Sequence, residues 1–118
     1  MADAGLFVGW GAPVAGREAK GLEVFGEAVA FYGNCQEAGE IESFETVFLG
    51  AHGGGLAGFL LLRASAEQCA ALRARDDFQR ITTRAALVVA DLGVIDAVID
   101  EGVGDQVAVY QEAIADIV

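Results

Sequence analysis

The chain has 118 residues, 54% of them apolar and 21% charged, with a formal net charge of -11 at pH 7. That length allows one core and not two, and that apolar share excludes a disordered chain. The acidic balance argues against nucleic acid and anionic lipid as partners, and no run of about 18 apolar residues exists to span a membrane.

The first residues, Met1-Ala2-Asp3-Ala4, carry no positive leader segment. Cys35 and Cys69 are far apart in sequence and match no metal-ligand spacing. Together these features lead us to expect a cytoplasmic protein with two reduced thiols, no metal and no cofactor.

Leu6 to Trp10 reads as the first strand, with Leu6, Val8 and Trp10 on one face. The loop Gly11-Ala12-Pro13 turns the chain. A helix follows from about Arg17 to Tyr32, with room to run on toward Gly39. Leu22, Phe25, Val29 and Tyr32 fall at i, i+3, i+7 and i+10 and predict its apolar stripe. Ile41 to Leu49 reads as the second strand and Ala57 to Arg63 as the third, joined through the glycine-rich His52-Gly53-Gly54-Gly55 as an antiparallel hairpin. Ser65-Ala66-Glu67-Gln68 matches a capping box and starts a short helix to about Ala74. Asp76 and Gln79 repeat the capping pattern for a further helical stretch to about Thr83. Leu87 to Ile99 is rich in Val and Ile and predicts a last strand, bent at Leu92-Gly93. Glu101-Gly102-Val103-Gly104 reads as a break. Asp105 then caps a final helix with Val107, Tyr110, Ile114 and Ile117 on one stripe.

This order predicts an α+β fold: a ferredoxin-like βαββαβ unit with a four-stranded antiparallel sheet, helices on one face, and a C-terminal helix. The strands are apolar on both faces, as in Phe44/Phe48 against Val47/Leu49 and Leu60/Leu62 against Phe59/Leu61. A lone subunit would expose the face that the helices leave bare. We therefore expect a homodimer in which two sheets stack about a two-fold axis.

In element order, size and strand apolarity, Leu6 to Ile99 above all, the chain resembles the dimeric α/β-barrel superfamily. That superfamily includes antibiotic-biosynthesis-type monooxygenases and the EthD-like and YciI-like proteins. The resemblance rests on no specific motif and carries no catalytic residue to a numbered position here, because one scaffold hosts many functions.

Two strings look catalytic and fail. His52-Gly53-Gly54-Gly55 matches the oxyanion loop of esterases, but Ser43 and Ser65 are the only serines and His52 the only histidine, so no nucleophile elbow or triad forms. Gly9-Trp10-Gly11 with Gly16 lacks the third glycine and the parallel context of a dinucleotide fingerprint. Four arginines, Arg73, Arg75, Arg80 and Arg84, lie close together among Asp76 and Asp77 and read as a salt-bridged helical surface.

The remaining candidates are individual residues. His52 is the candidate for proton transfer, since imidazole exchanges protons near neutral pH. Glu45, on a mostly apolar strand, is the candidate functional carboxylate; its plain alternative is an exposed edge charge. Trp10, Phe25 and Tyr32 are candidates to line a pocket, against the plainer reading of aromatic core. Arg17 and Arg63 are candidates to hold an anionic group. Three functions follow: a homodimeric small-ligand-binding or interaction module, a cofactor-independent monooxygenase or isomerase acting on a small, partly apolar (aromatic or polyketide-like) compound, or a purely structural or stress-related dimer with no ligand.

Overall fold

The computed structural model describes residues 2–118. Its elements are β1 (Ala4–Trp10), α1 (Glu18–Glu37), β2 (Ser43–Phe48), β3 (Gly58–Ala64), α2 (Ala66–Arg73), α3 (Asp76–Ala86), β4 (Gly93–Val98) and α4 (Glu101–Ile117). The fold is α+β: four strands form one open sheet in the order β2-β3-β1-β4, and every neighbouring pair is antiparallel. The second helical stretch is two helices, so the full order is strand, helix, strand, strand, helix, helix, strand, helix.

Alternation divides the sheet into two faces. Leu6 and Val8 of β1 and Leu60, Leu62 and Ala64 of β3 are buried on one face. There they meet Tyr32 and Cys35 of α1, Cys69 and Leu72 of α2, and Phe78 of α3, which together form the core. The register sets Leu6 opposite Leu62 and Val8 opposite Leu60, so the apolar rows coincide. The other face carries Phe7, Phe59, Leu61, Val47 and Ile95. Phe7 sits opposite both Leu61 and Ile95, and its ring stacks on that of Phe59 at 4.9 Å. These residues remain partly exposed, and Ile95 is 56% exposed.

Local signals account for most element ends. The capping box of α2 is complete: the Gln68 N–H donates to Ser65 Oγ at 3.1 Å, and the Ser65 N–H donates to Gln68 Oε1 at 2.9 Å. The arginine run is salt-bridged as its sequence implies. Arg73 pairs with Asp96, Arg75 with Glu40 and Asp77, Arg80 with Asp76, and Arg84 with Glu27.

Four expectations need correction. First, the inward side of α1, which runs to Glu37 within the room the sequence leaves it, is Val24, Tyr32 and Cys35; Leu22 is 73% exposed. Leu22 and Val29 satisfied the period, but the sheet selects the stripe one position round. Second, Asp76 does not cap α3. Arg75 occupies that position, and Asp76 and Asp77 are first-turn acids placed favourably against the helix dipole. Third, Leu87–Leu92 is not strand. Leu87 and Val88 close α3 through bonds to the carbonyls of Arg84 and Ala85. The next residues tie to the loop after β1: the Gly11 N–H donates to Ala90 O, the Ala90 N–H to Ala12 O, and the Val14 N–H to Val88 O, all at 2.8–2.9 Å. Asp91, with φ of 53°, then turns the chain into β4. Fourth, α4 starts at Glu101, directly after Asp100 at φ 50°, so Gly102 and Gly104 are helical and do not break the chain.

Candidate functional site

A cavity of about 260 Å³ lies between α1, the end of the sheet and the α3 side of the fold. Its floor is Val8 and Leu60 of the sheet. One wall is α1 through Val24, Phe25, Ala28 and Tyr32, and the other is Ile81 and Ala85 of α3 followed by Val88 and Val89. The cavity exists because small residues occupy positions where larger ones would fill it: Gly21 and Ala28 on α1, Ala57 before β3, and Ala85 on α3.

Three aromatic rings form its outer end. Trp10 meets Phe25 edge-on at 5.9 Å and Phe48 edge-on at 6.2 Å, and Phe25 and Phe48 are 5.3 Å apart. Trp10 can lie flat there because residue 58 is glycine. A Cβ at Gly58 would come within 2.8 Å of the indole ring and 2.7 Å of the Val47 carbonyl oxygen. Phe48 is 69% exposed, so this end communicates with solvent.

Tyr32 is buried and packs edge-on against Phe31. Among the described residues its hydroxyl has no hydrogen-bond partner, yet no buried polar side-chain atom is left unsatisfied. The hydroxyl therefore keeps contact with accessible space. Burial, with a smaller contribution from nearby Cys35, pushes the phenol far above its ordinary range, so it is a hydrogen-bond donor and not a base. The other polar side chains on the lining are Glu18 and Thr82.

The structure sorts the sequence candidates into separate places. Trp10, Phe25 and Tyr32 come together on the cavity. Glu45 and Arg63 also come together, but on the opposite sheet face. There the Arg63 guanidinium donates to Glu45 at 3.4 Å and to Asp100 at 3.2 Å, with all three groups partly exposed. Arg17 spends one guanidinium nitrogen on the Leu87 carbonyl, at 2.7 Å, tying the start of α1 to the end of α3. His52 is exposed in the loop between β2 and β3. Its Nδ1 accepts the Gly54 N–H at 3.2 Å and its Nε2 donates to the Leu56 carbonyl at 2.7 Å, so both ring nitrogens are engaged by the loop itself. It does not line the cavity, and neither does Glu45.

Sequence reasoning missed Phe48, Leu60 and the α3 side of the cavity. Phe48 was legible as an apolar strand end, but nothing local marks which strand end faces a void. Among the described residues no group of three or more His, Cys, Asp or Glu side chains is placed to hold a metal ion, and no helix is long and apolar enough to cross a membrane. No protein-family model, curated protein or solved structure matches the chain.

Proposed function

We propose that this chain binds a small, neutral, largely apolar compound in the cavity beneath Trp10 and works as a homodimer. The observation that carries this reading is the cavity itself: about 260 Å³, with a wall almost entirely of carbon and one donor without a protein partner, the Tyr32 hydroxyl, which keeps contact with accessible space. A dry void of about 150 Å³ admits benzene, so this one suits a guest of about ten non-hydrogen atoms. A carbonyl or ether oxygen on that guest would accept from Tyr32. An anion is disfavoured, because six of the seven basic residues already pair with acids and Glu18 lies on the lining.

The ferredoxin-like reading belongs to the same proposal. Its support is the central pair β1 and β3 flanked by β4 and β2, with α1 and the α2–α3 pair as the two crossovers. The homodimer rests on the second sheet face, where Phe7, Phe59, Leu61 and Ile95 form an apolar surface that a second copy would cover. A cytoplasmic setting fits two buried free thiols. Binding is favoured over oxygenation or isomerisation because His52 and Glu45 lie away from the cavity.

Trp10 is the only tryptophan, so its fluorescence reports on the site. Acetophenone should quench it saturably, and benzoate, of the same size but charged, should not. Tyr32→Phe should weaken acetophenone binding by about fivefold, the value of one hydrogen bond of about 1 kcal/mol. Failure of neutral aromatic ketones and alcohols to saturate the signal at millimolar concentration refutes the proposal.

A further inference from the structure

Helix α4 is built as an amphipathic helix and has no cover. Val103, Val107, Tyr110, Ile114 and Ile117 line one side of it, while Glu101, Asp105, Glu112 and Asp116 fall on the opposite side. Every residue from Val103 to Val118 is exposed, and the five stripe residues are 45–85% exposed. The chain's radius of gyration is 16.2 Å, against about 13.5 Å for a compact chain of this length, and its longest dimension is 53 Å. Only the root of α4 is fixed. Gly102 lies so close to the Asp3 carbonyl that no side chain fits there, and the Ile99 N–H donates to the same oxygen at 3.2 Å.

Such a helix does not hold itself together in water. Its interior contains Gly104 and the β-branched Val103, Val107, Val109 and Ile114, all poor helix formers, and a solitary helix of this length is marginal even when rich in alanine. Its order therefore requires a surface on which the stripe is buried.

We infer that α4 is an exchanged arm, and that each copy lays its α4 stripe on the apolar sheet surface of a second copy. This rests on the homodimer reading and goes beyond it by naming the segment that makes the interface. The second copy is the occupant for three reasons. The chain itself carries the matching surface, the bare face of Phe7, Phe59, Leu61 and Ile95. At 1.5 Å per residue α4 is about 25 Å long, enough to cross a four-stranded sheet about 19 Å wide. Stripe and bare face together offer on the order of 800 Å² per subunit, what one partner contributes to a stable interface. The acids on the outer side of α4 stay in water, and they repel an anionic membrane.

The test is sedimentation of the full chain from about 1 to 100 µM, concentrations spanning a micromolar dimer, with hydrogen exchange on α4. The wild type should run at twice its 12.2 kDa, and α4 amides should be protected in the dimer and lose protection on dilution. Val107→Glu with Ile114→Glu should run as a monomer, with the near-ultraviolet signal of Trp10 unchanged. Retention of the dimer in that variant overturns the arm; if Ile95→Glu is then monomeric, the homodimer survives without it. A wild-type monomer at every concentration overturns both, and a monomer whose α4 is protected places the stripe on its own sheet instead.

Discussion

Replacing Ala28 by leucine places three more carbons in the cavity. Ala28 lies on the α1 wall, packed against the core and half-buried, facing the space bounded by Val8 and Leu60. Each added carbon removed from water is worth about 0.8 kcal/mol, so the gross gain is about 2.4 kcal/mol. Ordering the leucine side chain costs about 0.5–1 kcal/mol, which leaves a net gain of about 1.5 kcal/mol. For a chain of 118 residues that corresponds to a rise in Tm of about 6 °C. The same carbons occupy the ligand's place, so acetophenone affinity should fall by tenfold or more. Thermal unfolding by circular dichroism and Trp10 fluorescence titration read the two effects separately. The reasoning is refuted if Tm falls by the amount that overpacking costs, about 1–3 kcal/mol, because the void would then not exist in solution. A stabilised variant that still binds with wild-type affinity would place the ligand elsewhere.

Ser65→Ala removes one half of the reciprocal cap on α2 and should lower unfolding stability by about 1 kcal/mol, read from the urea midpoint. Asp77 is held below the usual carboxylate range, chiefly by hydrogen bonds from Arg75. Its contribution is therefore complete above the ordinary aspartate value of about 3.9 and is lost as pH falls through its lowered folded value. Asp77→Asn should accordingly shrink the loss of stability between pH 6 and pH 3, and an unchanged difference would show that the pair does not form. Burial pushes both the Cys35 and Cys69 thiols up, so neither should react with a thiol reagent in the native protein at pH 8, while both should react in guanidinium chloride. Rapid native labelling of either would show that the core opens.

Nothing in the sequence places the candidate site in one location. Trp10, Phe25 and Tyr32 are legible as large aromatics, and the structure puts all three on the cavity. Their neighbours there are alanines and glycines, whose importance is the space they leave, and an absent side chain has no sequence signature. His52 looked chemical because it is the sole histidine, beside three glycines. Those glycines let the loop fold back so that its own backbone engages the ring.

Local chemistry by itself determined the kind and order of the elements: period-2 apolar alternation for β1, β2 and β3, the Ser65–Gln68 box for α2, and the apolar period of α4. These signals are read within a few residues of where they act, so no tertiary partner is needed to see them. Only the tertiary structure decided the rest. It turned Leu87–Leu92 from strand into a helix end and a bridge to the β1 loop, because Leu87 and Val88 bond back to α3 and Val88 and Ala90 bond to residues 11–14, beyond the end of β1. It rotated the buried stripe of α1 from Leu22 to Val24, because the sheet sets which side is inward. It left a void under Trp10 and an uncovered stripe on α4, because both depend on what faces a residue across space and not on the residue's neighbours along the chain.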